Sequence, residues 1–245
     1  MTFQEIPPER MPKHVAIILD GNGRWAKQNG KLRRQGHKAG ADNVETVMDL
    51  LIGMGVKYMT VYAFSTENWK RAEDEVSYLM SLMKLYLVQN KKDAIERQTR
   101  IRVLGDTSRL SKDLRDLIED IEQTTRDYTA FNLTFAINYG GRDEIVRAVR
   151  KIAQEAASGL LKPEDITEQM FSEYLDTKGM PDPDLMIRTS GEERISNFLL
   201  WQLAYSELYF TPVYWPDFSE EELKKSILSY ANRDRRFGGR KEGGR

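Results

Sequence analysis

The chain has no cysteine and only two histidines among its 245 residues. Without cysteine, a disulfide bond, a thiolate zinc site and a cysteine nucleophile are all excluded. Two histidines, His14 and His37, are too few for a metal centre built from several histidine ligands. The sequence therefore lies outside the disulfide-stapled, zinc-finger and thiol-dependent classes.

A long hydrophobic run is also missing. No apolar stretch approaches the roughly 18 to 20 residues of a membrane-spanning helix, and residues 1–10 are polar and contain proline, unlike a signal peptide. We therefore expect a soluble, cytoplasmic protein. Since no linker or internal repeat interrupts the chain, we predict one domain over 13–239, between a flexible N-terminal segment (1–12) and a flexible basic tail (240–245). The first residues of the basic stretch 233–245 also suggest docking on a partner subunit's phosphate site.

The cations of this nearly neutral chain are concentrated in one segment. The 37 Lys and Arg residues balance 38 Asp and Glu residues, for a net charge of -1. Between Gly21 and Ala41 there are nevertheless six cations and no acid: Arg24, Lys27, Lys31, Arg33, Arg34 and Lys38. Asp20, immediately before them, is an isolated carboxylate facing a basic field.

The stretch from His14 to Ala26 joins an apolar run to that field. Its first half is typical of a buried strand, and Asp20 and two glycines follow it directly. Glycines at a strand-to-helix turn let backbone N–H groups approach an anion, and a lone carboxylate beside bound phosphate is a natural Mg²⁺ ligand. The alternative is a plain strand end followed by a solvated basic helix, because glycine-rich turns of this kind are common.

Strand and helix patterns alternate along the chain. We predict strands at 14–19, 56–64, 132–137 and 185–187, with amphipathic helices between them, which indicates an α/β fold with a mostly parallel sheet flanked by helices. Polar clusters follow these strands directly: 20–24, 65–69, 138–142 and 188–191. Because the carboxyl ends of parallel strands share one edge, these clusters should meet at one site.

The helix predicted over 75–89 has an unusually wide apolar surface. One sheet face would not cover it. A lipid-lined cavity would use such a helix, although a core helix or a dimer interface is the commoner explanation.

Together, these motifs resemble the cis-prenyltransferase family over about residues 12–239. The matching segments are 14–26, 36–40, 62–69, 138–142, 187–192, 194–202, 205–210 and 215–218. The resemblance implies a single α/β domain with a central, mostly parallel sheet and a hydrophobic product tunnel. It also implies Mg²⁺-dependent condensation of isopentenyl diphosphate onto an allylic diphosphate, usually farnesyl diphosphate, to give a long-chain product of the undecaprenyl type for cell-wall polysaccharide synthesis.

The resemblance further implies a homodimer, a transient contact with the inner membrane face for product release, and no nucleic-acid partner. It assigns catalysis to Asp20 and Asn68 and Mg²⁺ binding to Asp20 and Glu207. Substrate binding is carried over to a larger set: Gly21, Asn22, Gly23, Arg24, Trp25, Arg33, His37, Ser65, Thr66, Glu67, Trp69, Arg71, Arg188, Arg194, Ile195 and Ser196. Because an amide is a very weak base, we expect Asn68 to orient a reacting group while a diphosphate oxygen takes the proton.

Two positions depart from the family pattern. Phe131 stands where long-chain members commonly have a smaller aliphatic residue, so we expect a tunnel floor there and a product that could be shorter than C55. Ala72 replaces a common proline, which loosens the loop after Arg71. Ala63 is expected near the tunnel mouth.

Several other functions remain as alternatives. A medium- or short-chain synthase and a non-catalytic prenyltransferase subunit share the same motifs, and the basic helix and tail could bind nucleic acid. A nucleotide-phosphate enzyme is disfavoured because no Gly-x-x-x-x-Gly-Lys-Ser/Thr motif occurs. The all-helical trans-prenyl synthases are excluded because Asp-Asp-x-x-Asp is absent.

Overall fold

The computed structural model describes residues 2–233. Strands and helices alternate along most of the chain, as the sequence predicts. In chain order they are β1 (His14–Ile18), α1 (Asn22–Gln28), α2 (Arg33–Gly53), β2 (Tyr58–Ser65), α3 (Glu73–Glu96), β3 (Thr99–Leu104), α4 (Lys112–Thr125), β4 (Phe131–Tyr139), α5 (Gly141–Ala157), α6 (Glu168–Ser172), β5 (Leu185–Arg188), β6 (Glu207–Phe210) and α7 (Glu220–Ala231).

The six strands form one parallel sheet in the order β3-β4-β2-β1-β5-β6. The α/β fold class is confirmed. β1 lies between β2 and β5, and all five of its residues are buried, which explains the apolar run that follows His14. Ile18 at its end is in register with Tyr62 of β2 and Arg188 of β5. The carboxyl ends of these three strands therefore meet at one edge of the sheet, which we call the rim.

Two hydrophobic cores lie against the sheet. The larger contains Val15 and Ile17 of β1 together with buried residues of α2, α4 and α7. The smaller contains Ala16 and Ile18 of the same strand together with residues of the segment 198–203. Because successive side chains of a strand point to opposite faces, β1 contributes to both cores and is fixed from both sides.

The sequence did not predict β3 and β6, which are the two edge strands of the sheet. β6 is only four residues long, and its residues are partly exposed. β3 contains arginines at alternate positions, so it lacks a continuous apolar run. On its open side, the backbone N–H of Ile101 donates to Thr125 Oγ1 (3.0 Å) and that of Val103 donates to Glu122 Oε1 (2.8 Å). Side chains of α4 thus satisfy edge groups that would otherwise pair with another strand.

The chain ends differ in what can be described. Within the segment 1–12, Phe3, Ile6 and Met11 pack against the larger core, and Arg10 donates to the carbonyl of Ala231. The tail, predicted at 240–245, and the basic stretch after Arg233 lie outside the described residues. Among residues 2–233, no helix is both long enough and apolar enough to cross a bilayer.

Candidate functional site

Asp20 lies two residues beyond β1, on the rim. Its Oδ2 accepts a hydrogen bond from Arg188 (2.9 Å), and its Oδ1 accepts from Arg24 (3.2 Å) and from the backbone N–H of Gly21 (2.7 Å). Burial by itself would raise the pKa of Asp20, but the hydrogen bond from Arg188 and the charges of Arg188 and Arg24 outweigh burial, so the pKa lies below its usual value. The rim therefore holds an ionised carboxylate between two guanidinium groups.

Arg188 is the last residue of β5 and is almost completely buried. Besides Asp20, it donates to Ser196 Oγ (2.7 Å) and to the carbonyl of Arg194. Its Nε is buried and has no hydrogen-bond partner among the described residues. Since an unpaired buried donor is costly, the site favours an anionic ligand that supplies acceptor oxygens here.

The loops of the rim are held in left-handed backbone conformations. Ser190, Ser196 and Asn197 have φ values of 73°, 46° and 64°, which are uncommon for residues other than glycine. Gly21 has a φ of 102°, and a Cβ at this position would lie 2.7 Å from the ring of Tyr214. Such strained positions cluster at functional sites, where the surrounding structure maintains them.

A second charge cluster lies at the start of α3, around Glu75. Its Oε1 lies 3.1 Å from Arg33 Nε, 3.2 Å from His37 Nε2 and 2.8 Å from Arg71 Nη1. Burial would raise the pKa of Glu75, but the hydrogen bond from Arg71 and the neighbouring cations lower it. Burial is the main reason that the pKa of His37 is lowered, and it exceeds the opposing effect of Glu75. The Glu75 carboxylate thus pairs with three side chains that the resemblance assigns to substrate binding.

The turn after β2 places Asn68 and Trp69 differently. Asn68 Oδ1 accepts the backbone N–H of Ser65 (3.1 Å), and both residues line the rim. Trp69 packs edge to face on Phe64 (5.1 Å between ring centroids) and donates to Asn138 Oδ1 (2.7 Å). The half-buried Trp69 therefore supports this turn by packing against the core.

A cavity of about 1080 Å³ begins at the rim and continues between α2, α3 and the sheet. Its mouth is polar. The interior is lined by apolar and aromatic side chains: Val44, Val61, Ala63, Leu79, Leu82, Met83, Tyr86, Leu87 and Phe135. Part of the wide apolar surface predicted for α3 thus faces a cavity, whereas Leu85 is about half exposed to solvent. Such a site fits an amphiphile with an anionic head and a hydrocarbon tail.

Most of the predicted site residues line this cavity. They are Asp20, Gly21, Asn22, Gly23, Arg24, Arg33, His37, Ser65, Glu67, Asn68, Arg71, Arg188 and Ser196. The predicted residues outside its lining are Trp25, Thr66, Trp69, Arg194, Ile195 and Glu207. Arg194 is largely exposed and pairs with Glu192 (2.5 Å), and the indole N–H of Trp25 donates to Asp217 (2.6 Å). Phe131, the predicted tunnel floor, is buried in the core and does not contact the cavity.

Glu207 lies at the amino-terminal end of its strand, on the side of the sheet opposite to the rim that holds Asp20. It begins β6, in register with Leu185 and, through β5, with Val15. Asp20 is five residues after Val15 and beyond the end of β1, which corresponds to about 16 Å along the strand direction. Glu207 instead pairs with Arg233. Within one chain, Glu207 and Asp20 therefore cannot bind the same ion, and the assignment of Glu207 as a Mg²⁺ ligand stays a prediction. Among the described residues, no group of three or more histidine or acidic side chains forms a metal site.

Sequence reasoning missed Glu75 and Phe135, and it did not single out Tyr86 on the wide apolar surface of α3. Glu75 is the third of three consecutive acids in the first turn of α3, a pattern typical of a solvated helix start. Its spacing of four residues from Arg71 was the available signal for an ion pair. For Tyr86 and Phe135, the sequence shows only apolar character, because the direction of a side chain towards a cavity depends on packing.

Comparisons with known proteins agree on one family. The family model for undecaprenyl diphosphate synthase (Prenyltransf) matches residues 18–238. An isoprenyl transferase of Clostridium perfringens is 50% identical over 232 residues, covering 94% of this chain and 91% of the relative. An isoprenyl transferase of Rhizobium meliloti is 51% identical over 237 residues, covering 97% and 96%.

Two solved structures are similar over nearly the whole chain. Lavandulyl diphosphate synthase from Lavandula x intermedia, in complex with dimethylallyl diphosphate, aligns with a TM-score of 0.91 at 39% identity and covers 94% of this chain and 99% of its own. A probable undecaprenyl diphosphate synthase from Campylobacter jejuni aligns with a TM-score of 0.76 at 32% identity and covers 93% and 98%.

Proposed function

Because the chain belongs to the undecaprenyl diphosphate synthase family of prenyltransferases, we propose that it condenses isopentenyl diphosphate onto an allylic diphosphate such as farnesyl diphosphate. In each cycle a carbon–carbon bond forms, diphosphate leaves the allylic carbon, and a proton leaves the isopentenyl unit. The product is a longer allylic diphosphate that can react again. Repeated cycles would give a polyprenyl diphosphate of the undecaprenyl type, a precursor of the lipid carrier for cell-wall polysaccharides.

The observation that carries this proposal is the joining of an anion-binding rim to an apolar cavity. Arg24, Arg188 and Asp20 lie at the mouth, and α3 supplies hydrocarbon-lining residues behind them. A diphosphate held at the rim would direct its prenyl chain into the cavity. Each added unit would then be buried in apolar surroundings, which favours elongation.

Two groups of side chains support two diphosphate positions. Arg24, Arg33 and His37 would hold the allylic diphosphate near the glycines that follow Asp20. Arg188 and Ser196, already hydrogen-bonded to each other, would hold isopentenyl diphosphate, and Arg194 would join them on leaving Glu192. Arginine suits this task because its planar fork binds phosphate oxygens in pairs.

The rim fits a Mg²⁺ ion that protein and substrate share. Asp20 supplies one partly exposed carboxylate, and the neighbouring arginines would bring diphosphate oxygens to it. Mg²⁺ commonly takes one or two carboxylates, substrate phosphate oxygens and water. When bound, the ion would neutralise charge on the leaving diphosphate. Asp20 would hold the ion, and Arg188 and Arg24 would hold Asp20 in place.

Asn68 would orient the isopentenyl unit. Its Oδ1 is engaged by the N–H of Ser65, so its amide NH₂ is the group left to contact substrate. A diphosphate oxygen is the stronger base and would receive the proton.

We infer that Tyr86 and Phe135 limit the product length. Their rings pack edge to face with centroids 5.7 Å apart. Phe135 and its register partner Val61 are the cavity-lining strand residues furthest from the rim. The Tyr86 hydroxyl is buried without a hydrogen-bond partner. Phe131 lies four residues earlier on β4, so a growing chain would meet the aromatic pair first. A medium- or short-chain synthase is the second candidate that this bulky closure supports.

We also propose that the chain forms a homodimer that contacts a membrane transiently. Val146 and Val149 on α5 are about half exposed, and Tyr205 is largely exposed. Single apolar residues on a surface are ordinary, but two on adjacent turns of one helix suit an interface. Light scattering at several protein concentrations would measure the assembly. A monomer at all concentrations would contradict the proposed homodimer.

The proposed reaction is tested with purified protein, farnesyl diphosphate, labelled isopentenyl diphosphate and Mg²⁺. Dephosphorylated products are separated by reverse-phase chromatography. We expect a Mg²⁺-dependent ladder that ends at one main length, and loss of incorporation when EDTA is added. Folded protein that incorporates no label with dimethylallyl, geranyl or farnesyl diphosphate would favour the non-catalytic subunit instead.

A further inference from the structure

The turn between α1 and α2 projects a leucine into solvent beside the cavity mouth. We call residues 27–34 the rim turn, and all eight are exposed. The side chain of Leu32 is 57% exposed, although it adjoins Lys31 and Arg33, which line the mouth. An apolar side chain thus stands at the entrance of a hydrocarbon-lined cavity.

Backbone hydrogen bonds hold the rim turn in shape. The N–H of Gly30, at a φ of 64°, donates to the carbonyl of Lys27 (3.3 Å), and the N–H of Lys31 donates to the carbonyl of Ala26 (2.8 Å). The N–H of Leu32 donates to Gln35 Oε1 (2.8 Å). Because the turn is already ordered, presenting Leu32 to a partner would cost little conformational entropy.

The rim turn carries uncompensated positive charge. Arg33 pairs with Glu75, and Lys31 lies 4.6 Å from the centre of the Trp25 ring. For Lys27, Lys31 and Arg34, no carboxylate of the described residues lies within ion-pair distance. No acid occurs between Gly21 and Ala41. An exposed leucine surrounded by such cations is complementary to a surface that is anionic outside and apolar within.

We propose that the rim turn docks on an anionic lipid bilayer, with Leu32 entering the interface and Lys27, Lys31 and Arg34 facing lipid phosphates. This inference rests on the proposed function for its purpose. A polyprenyl chain that leaves the cavity beside Lys31 would enter the bilayer without crossing water. The cations at the mouth make the docking surface and the cavity entrance continuous.

Vesicle sedimentation tests the docking without any substrate. Full-length protein is mixed with vesicles of phosphatidylglycerol and phosphatidylcholine, or of phosphatidylcholine alone, at low and high salt. We expect binding to the anionic vesicles that weakens with salt. Leu32→Ser should weaken it by about tenfold because an interfacial leucine is lost. Arg34→Gln should weaken it by about fivefold, as expected for one basic residue near a lipid surface.

The chain offers a matched control in Leu160 and Lys162. These residues have the same spacing as Leu32 and Arg34, and Leu160 is 80% exposed. Leu160→Ser and Lys162→Gln should leave vesicle binding unchanged. The proposal is overturned if the wild type ignores anionic vesicles, if the rim-turn variants bind like the wild type, or if the controls weaken binding equally. Circular dichroism would confirm that each variant is folded.

Turnover in detergent separates this proposal from the proposed function. Leu32→Ser should retain wild-type incorporation of isopentenyl diphosphate in detergent. We expect anionic vesicles to accelerate turnover by the wild type and not by Leu32→Ser. Absence of turnover in every condition would refute the proposed function, while sedimentation would still decide the docking.

Discussion

Removing the aromatic pair at the end of the cavity should lengthen the product. Phe135→Ala and Tyr86→Ala each delete about six carbon atoms, slightly more than the about five of one isoprene unit. Burying one further unit is worth about 4 kcal/mol at about 0.8 kcal/mol for each carbon. We therefore expect the main product to grow by about one unit in each single variant and by about two in the double variant.

Reverse-phase chromatography of the dephosphorylated products measures this change. Phe218→Ala is a matched control, because Phe218 is also buried but packs on Trp215, away from the cavity lining. Both phenylalanine variants should lose about 3 to 5 kcal/mol of unfolding free energy, yet only Phe135→Ala should shift the product. Phe135→Ala has the smaller expected loss, since one side of its ring already faces the cavity.

The reasoning is refuted if both single variants and the double variant keep the wild-type product length while remaining active. Phe131 tests the order of the barriers. The sequence predicts longer products from a smaller residue at Phe131, and in the structure this residue lies beyond the aromatic pair. Phe131→Ala combined with Phe135→Ala should therefore exceed Phe135→Ala alone, and an unchanged length would exclude Phe131 as a second floor.

Three further predictions follow from the rim and the core. Asp20→Asn should reduce kcat by about a thousandfold or more at saturating Mg²⁺ because the ionised carboxylate is lost; wild-type kcat, measured by label incorporation, would remove Asp20 from the mechanism. Arg188→Lys should raise the KM for isopentenyl diphosphate by about tenfold, because a lysine ammonium lacks the planar set of donors with which a guanidinium can bind Asp20, Ser196 and a phosphate oxygen together. An unchanged KM would count against that binding site. His14 is buried, contacts the Pro181 carbonyl (2.7 Å) and Thr60 Oγ1 (2.8 Å), and burial lowers its pKa to about 4. Its neutral form therefore contributes stability that is complete above pH 6.5 and declines as the pH falls towards 4, by about 3 kcal/mol in all. The free energy of unfolding of His14→Gln, measured by urea denaturation, should depend less on pH over this interval than that of the wild type. Equal slopes for the two proteins would disprove the linkage.

The central strands could be predicted from local sequence, whereas the edge strands could not. β1, β2 and β4 are read from apolar runs because both of their faces are buried, and such burial leaves a signal in consecutive residues. β3 alternates arginines with apolar residues, and backbone N–H groups on its open side donate to side chains of α4. That arrangement depends on residues 19 and 24 positions away, which no local pattern encodes.

The sequence by itself determined the fold class, the polar segments that directly follow the strands, and most of the residues on the rim. Asp20, Ser65, Asn68 and Arg188 each follow or end a strand, and parallel strands must bring such residues to one edge. The place of these residues on the rim therefore follows from their positions along the chain.

Only the tertiary structure decided which side chains meet across that edge. It placed Glu75 against Arg33, His37 and Arg71. It also packed Trp69 against the core and placed Glu207 at the end of the sheet away from Asp20. It also placed Tyr86 and Phe135, and not Phe131, in the lining of the cavity. The physical reason is that ion pairs and cavity walls depend on distances between elements far apart in sequence, and packing alone sets those distances.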